Sequence, residues 1–389
     1  MPNKPTDTKS VPEQPTLAPL PIHLKHRQEG FTRALVKNVL CHINDIYYRP
    51  EFVNFEEVTP RSNPDKPVIL AGNHSGMSYP WDAIVFLSER LRRHDYDYSA
   101  IALPLVAPML SESRLTNPYL IPGFWKRAGG VDARFRHFNE LMEADHDSNV
   151  LIFPEGVPGI GKGFNHKYEL QRFATSFIRM ALKHDTDVQP FYTINGEYVN
   201  PYSYSFEPVN RFMARTLGVP FLPIAVHTIL LLILPWMFYY GLPAKMIFVK
   251  GTRFKPGDWL GKSADEATEE DIAAVRDRAQ AHMQAELTRY AEQYGHSPYR
   301  WREFFARAKA GSRYFPFYLP VAWPVMFAEF ERQWEKHGQV DMTYNRWSFF
   351  RWVWRNPQSL FYYLPILGWV FLLARGYGSR QNAYKPEKK

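Results

Sequence analysis

The stretch Gly72-Asn-His-Ser-Gly-Met-Ser-Tyr-Pro-Trp-Asp82, preceded by Pro67-Val-Ile-Leu-Ala71, decides the fold. The apolar run has strand length and is bounded by turn-forming residues, so it reads as a buried strand. His74 then stands at the lip of a sheet, and an aspartate close behind it can fix its tautomer. A second apolar run, Asn149-Val-Leu-Ile-Phe153, ends in Pro154-Glu155-Gly156. Further short apolar runs occur at Val68–Leu70, Tyr98–Leu103, Val150–Phe153, Val188–Ile194 and Met246–Lys250. They alternate with helical stretches, which predicts an α/β domain with a largely buried sheet.

The two motifs, in this order, resemble those of the glycerolipid acyltransferase superfamily. The likeness runs from about Pro67 to Phe254 and includes the glycine-and-basic block Pro122–Val131 and the strand Val188-Gln-Pro-Phe-Tyr192. The subgroup related to monoacyl- and diacylglycerol acyltransferases is the most similar by eye. It combines Asn-His-Ser-Gly, Pro-x-Asp and Phe-Pro-Glu-Gly-x-x-Gly-x-Gly-Lys. One departure is plain: seven residues separate His74 from Asp82, where the commonest family spacing is four. The resemblance implies an acyltransferase-type sheet covered by helices, with His74 and Asp82 catalytic. It implies an acyl thioester, acyl-CoA or an acyl carrier protein, as co-substrate and no further cofactor. It also implies substrate-binding roles for Asn73, Ser75, Gly76, Phe153, Pro154, Glu155 and Gly156, with Glu155 on the acceptor.

The chemistry agrees with the residue types. Acyl transfer to a hydroxyl needs a base, a group that orients the base, and donors for the oxyanion. A histidine near neutral pKa suits the first role, and a carboxylate on its other nitrogen suits the second. No Gly-x-Ser-x-Gly elbow occurs, so the acceptor hydroxyl is expected to attack directly. Lys126 and Arg127 are candidates to hold an acceptor phosphate. Gly156–Gly163 matches a phosphate-binding loop except at position 163, which lacks the magnesium-binding hydroxyl, and Pro158 removes a backbone N–H. Nucleotide hydrolysis is therefore disfavoured, while Gly161 and Lys162 remain candidates for the donor's phosphates. His137, His146, His166 and His184 show no metal-ligand spacing, so no metal is expected. Nucleic acid has only the positive charge in its favour and is not expected as a partner.

Composition points to a membrane. The net charge is +8 and aromatic residues make up 16% of the chain. A basic balance fits an anionic partner, and Trp and Tyr favour membrane–water interfaces. Phe221–Tyr240 is an uncharged window long enough to span a bilayer, but Pro223 and Pro235 favour a kinked, membrane-dipping segment. Near the C-terminus Trp347, Trp352 and Trp354 interleave with Arg346, Arg351 and Arg355, and an apolar run follows to Arg375. This reads as an interfacial anchor. Met1–Leu24 has no apolar signal region, and the single Cys41 excludes an intramolecular disulfide. The expected organisation is a disordered arm at 1–27, an acyltransferase α/β domain at 28–262, and a helical, aromatic-rich, membrane-associated extension at 263–389. Residues 28–50 and 267–294 are expected as helices, the latter opened by a Thr268–Asp271 capping box. The active site is expected on the cytoplasmic face. A catalytically silent lipid-binding protein on the same fold is the alternative.

Overall fold

A computed structural model describes residues 21–22, 24–56, 60–76, 79–98, 101–112, 116–144, 148–217 and 221–378. The expected arm at 1–27 lies mostly outside them. The chain is a mixed α/β protein built on a seven-stranded sheet. The strands are β1 (Glu51–Val53), β2 (Ile69–Gly72), β3 (Leu103–Val106), β4 (Val131–Asp132), β5 (Val150–Ile152), β6 (Val188–Ile194) and β7 (Ile247–Lys250). Their order is β1-β7-β6-β2-β5-β3-β4, and only β6 and β7 pair antiparallel. β2 lies between β5 and β6 and is parallel to both, with Ile69 opposite Val150 on one side and Val188 on the other. The two motif strands are therefore neighbours that point the same way. Their carboxyl ends, and the motifs that follow, meet at one edge of the sheet, where open α/β sheets bind ligands.

The helices that position the site include α1 (Glu29–Leu35, continued by wider turns over Val36–Leu40 and Ile43–Tyr48), α2 (Trp81–Arg93) and α3 (Phe135–Glu143). Further along are α4 (Ser176–Lys183), α5 (Val226–Ile233), α6 (Glu269–Tyr294), α7 (Trp323–His337), α8 (Ser348–Arg355) and α9 (Leu367–Gly378). Alternation along the strands sends neighbouring side chains to opposite faces. Leu70, Leu151, Phe191 and Phe248 point to a core shared with α1, α2, α7 and α8. Ile69, Ala71, Val150, Val188 and Val249 point to a second core under α3, α4 and α6. Both faces are covered, which is why the strands read as continuous apolar runs.

Residues after 262 do not form a separate layer. α6 lies on the second face, with Ile272, Val275, Ala279, Met283 and Leu287 buried and its capping box formed by Thr268 and Asp271. Trp323 of α7 packs on Trp81, the first residue of α2, with ring centroids 4.9 Å apart. Trp352 of α8 is buried in the same cluster, while Trp347 and Trp354 are exposed. The Phe221–Tyr240 window is broken by its prolines into the eight-residue α5 and a 3-10 turn at Pro235–Tyr239. Among the described residues no helix is long and apolar enough to cross a membrane.

Candidate active site

His74 lies two residues beyond β2, and Asp82 is the second residue of α2. The longer spacing closes nonetheless. His74 Nδ1 stands 2.7 Å from Asp82 Oδ2. A carboxylate only accepts, so Nδ1 carries the proton and Nε2 is left as the basic lone pair. Nε2 has no hydrogen-bond partner among the described residues. Asp82 is buried and also accepts the Ser75 N–H at 2.9 Å and the Ala83 N–H at 2.8 Å. Three N–H donors thus fix its orientation, and its place in the first turn of a helix suits its charge. The His74 ring stacks on Phe153 at 4.2 Å, so the second motif supplies the platform for the first.

Glu155 ties the motifs together. Its Oε1 accepts the His74 N–H at 2.9 Å and its Oε2 accepts the Gln171 N–H at 2.6 Å. The side chain is buried, and burial pushes its carboxyl above the usual carboxylate range, opposed by Lys162. Both oxygens face main-chain donors, so Glu155 first of all holds the His74 backbone. Gly159 must be glycine here: a Cβ would fall 2.6 Å from Glu155 Cβ and 3.0 Å from His74 Cβ. Gly156 has φ +59 and ψ −145, a region open to glycine alone.

The other expected residues divide. Asn73 does not face the site; its side chain extends the ladder to β6, donating to the Thr193 carbonyl at 3.2 Å and accepting the Thr193 N–H at 2.7 Å. Ser75 is buried against Gly196, and the Gly76 carbonyl accepts from Asn200 at 3.2 Å. Lys162, expected at donor phosphates, is turned inward. Its ammonium donates to the Glu169 carbonyl at 2.9 Å and lies 3.5 Å from Glu197 and 3.9 Å from Glu155. Gly161 packs against the Phe221 ring. Lys126 and Arg127, expected at an acceptor phosphate, are likewise committed. Lys126 pairs with Asp132 at 2.5 Å, and Arg127 pairs with Glu331 at 2.8 Å while lying over the Phe31 ring. Lys126 and Lys162 have buried carboxylate partners and Arg127 a half-buried one, which offset the desolvation of each cation.

His74, Phe153, Pro154, Glu155 and Gly156 line a cavity of about 430 Å3. The rest of the lining is mostly apolar. α2 contributes Ala83, Ile84, Leu87 and Leu91, α1 and its continuation contribute Leu35, Val36 and Leu40, and Leu222, Leu231 and Phe238 also line it. From Ala83 to Leu91 the helix advances roughly 12 Å at 1.5 Å per residue. The imidazole thus faces a mostly apolar cavity that runs along this stretch of α2. The helix expected over residues 28–50 supplies Leu35, Val36 and Leu40 to this wall. Glu197 and Gln171 carried no sequence signal, because their partners lie far along the chain.

No family model matches the chain, and no solved structure matches it. Proteins described as uncharacterized from Mycobacterium tuberculosis and Mycobacterium bovis are 25% identical over 199 residues. That match covers 50% of this chain and 49% of theirs, so the chain spans about half the length of the curated relatives it matches. A Mycobacterium leprae protein, also described as uncharacterized, is 25% identical over 196 residues, 50% of this chain and 48% of its own.

Proposed function

We propose that the chain is a glycerolipid-type acyltransferase that moves an acyl chain from a thioester, acyl-CoA in the first instance, to a lipid hydroxyl. The observation that carries this reading is the His74–Asp82 pair, with Nε2 unpartnered among the described residues and beside a mostly apolar cavity of about 430 Å3. That volume falls in the range of small-molecule sites. In the proposed reaction the acceptor hydroxyl attacks the thioester carbonyl while His74 Nε2 takes its proton. Asp82 stabilises the imidazolium that forms. The tetrahedral intermediate then collapses, the C–S bond breaks, and the imidazolium returns its proton to the leaving thiolate. The products are an ester and a free thiol.

The acyl chain would occupy the apolar part of the cavity along α2. Lys126, Arg127 and Lys162 all face carboxylates of the chain itself, which favours an acceptor without a phosphate beside the motif, such as a mono- or diacylglycerol, over a lysophosphatidate. Free coenzyme A released from acyl-CoA, measured with a panel of lipid acceptors, tests the reading. Release that depends on a glyceride or lysophospholipid supports it. No acceptor-dependent release across the panel favours a catalytically silent lipid-binding protein.

A further inference from the structure

One buried ammonium joins the ends of three neighbouring strands. β6, β2 and β5 lie side by side and point the same way, so the segments that follow them meet at one edge of the sheet. After β5 the chain folds through the short turn Val157–Gly161 and returns Lys162 to Glu155. The Lys162 ammonium lies 3.9 Å from Glu155 Oε2 and 3.5 Å from Glu197 Oε1, and its side chain is 3% exposed. Glu197 stands in the 3-10 turn Gly196–Val199 that follows β6. Glu155 in turn accepts the main-chain N–H of His74, beyond β2, at 2.9 Å.

Two buried carboxylates share this one ammonium, and Glu155 is the one tied to the base. An ionised carboxylate accepts through both oxygens, and Glu155 uses both, on the N–H groups of His74 and Gln171. Protonation would turn one oxygen into a donor facing an N–H or the ammonium. Burial favours that protonation, and Lys162 opposes it. The titratable groups that face Glu155 among the described residues are Lys162 and His74, with Glu197 on the other side of the ammonium. Glu197 Oε1 also accepts the Tyr168 N–H at 3.2 Å, while its Oε2 is buried with no partner among the described residues. The charged contact of Glu197 is therefore the ammonium, which it seats against Glu155.

We propose that Lys162 is a positioning residue for the base: it holds the Glu155 carboxylate, which holds the His74 main chain where the imidazole meets Asp82 and Phe153. The cation of the second motif then acts on the reaction from inside the protein, closed off from any substrate phosphate. Its effect on turnover rests on the acyltransferase reading; its hold on the His74 main chain does not.

Lys162→Met in the full chain tests this in two ways. Without substrate, hydrogen exchange at the His74 amide should quicken about tenfold relative to the β2 amide of Leu70, as its bond to a charged acceptor weakens. With acyl-CoA and a glyceride acceptor, kcat per folded molecule should fall while KM for acyl-CoA changes little. The loss should be greatest in acid and shrink by on the order of tenfold as pH rises through neutrality, because Glu155 then ionises without its cation. Damage to folding alone gives a loss independent of pH. In a Glu155→Gln background, Lys162→Met should change kcat by less than about threefold. If Lys162→Met does not fold, Glu197→Gln takes its place and leaves the ammonium to Glu155 alone. Its His74 amide should exchange no faster than in the wild type, and its kcat relative to wild type should hold or rise toward acid. Unchanged His74 exchange in Lys162→Met, a pH-independent loss, or a Glu197→Gln variant that fails progressively in acid overturns the proposal. Quickened exchange in a protein that releases no coenzyme A with any acceptor sinks the acyltransferase reading and leaves the hold on His74 intact.

Discussion

Asp82→Asn isolates the orienting carboxylate. In the protein this group accepts three N–H donors, from His74 Nδ1 at 2.7 Å, Ser75 at 2.9 Å and Ala83 at 2.8 Å. An amide offers one accepting oxygen, and its NH2 must then face at least one of those donors. If the amide oxygen keeps the Oδ2 position, the Ala83 N–H loses its partner, at about 1–3 kcal/mol. If it keeps Oδ1, His74 must shift its proton to Nε2 and is no longer a base. The catalytic loss follows from charge. An imidazolium formed next to a carboxylate about 4 Å away gains about 4 kcal/mol at an effective dielectric of about 20. Losing that corresponds to about a thousandfold in turnover. Steady-state coenzyme A release should show kcat reduced by about that factor, with KM for acyl-CoA changed far less, because the carboxylate does not touch the donor. The loss should remain smaller than for His74→Ala. A variant whose kcat stays within about threefold of wild type would refute the orienting role.

Lys162→Met should destabilise the fold by about 3–5 kcal/mol at neutral pH, because it leaves Glu155 and Glu197 buried without their cation; urea unfolding measures this, and a loss under about 1 kcal/mol contradicts it. Leu87→Trp should raise KM for long-chain donors about tenfold and spare shorter ones, since displacing two methylenes costs about 1.6 kcal/mol; unchanged chain-length preference would place the acyl chain elsewhere. Burial raises the Glu331 carboxyl from 4.5 to about 7 despite Arg127 beside it. The folded protein therefore holds this proton more tightly than the unfolded chain, adding stability at low pH that is lost as pH rises through that window. The stability of wild type relative to Glu331→Gln should fall by on the order of 3 kcal/mol between those pH values and then level off; a relative stability that rises with pH refutes the assignment.

Much of this was legible in the sequence where periodicity and turn chemistry act locally. β2, β5, β6 and β7 lie at or within two residues of the apolar runs, and α6 begins at its capping box. β3 falls later than the Tyr98–Leu103 run, at Leu103–Val106. β1 and β4 were not legible, since three and two residues are too short to show alternation. The direction of the lysines and arginines was also hidden. Lys126, Arg127 and Lys162 sit in glycine-rich stretches that read as ligand loops, yet each turns to a carboxylate of the chain: Lys126 to nearby Asp132, Lys162 to Glu155 and Glu197, and Arg127 to Glu331, 204 residues away. A long cationic side chain looks the same in sequence whether it reaches solvent or folds back. The tail illustrates the same limit. Trp347, Trp352 and Trp354 share one composition signal, yet the middle one completes the core that holds α2 while the outer two face solvent.

The most direct test of the central claim follows the acyl chain itself. Wild type and His74→Ala, each shown to be folded, are given an isotopically labelled acyl-CoA with a glycerolipid acceptor, and the lipid products are read by mass spectrometry. The account predicts labelled ester from the wild type and a loss of more than about a thousandfold in the variant, toward the upper end of what a positioned general base contributes. Labelled product formed by His74→Ala at close to the wild-type rate would contradict it.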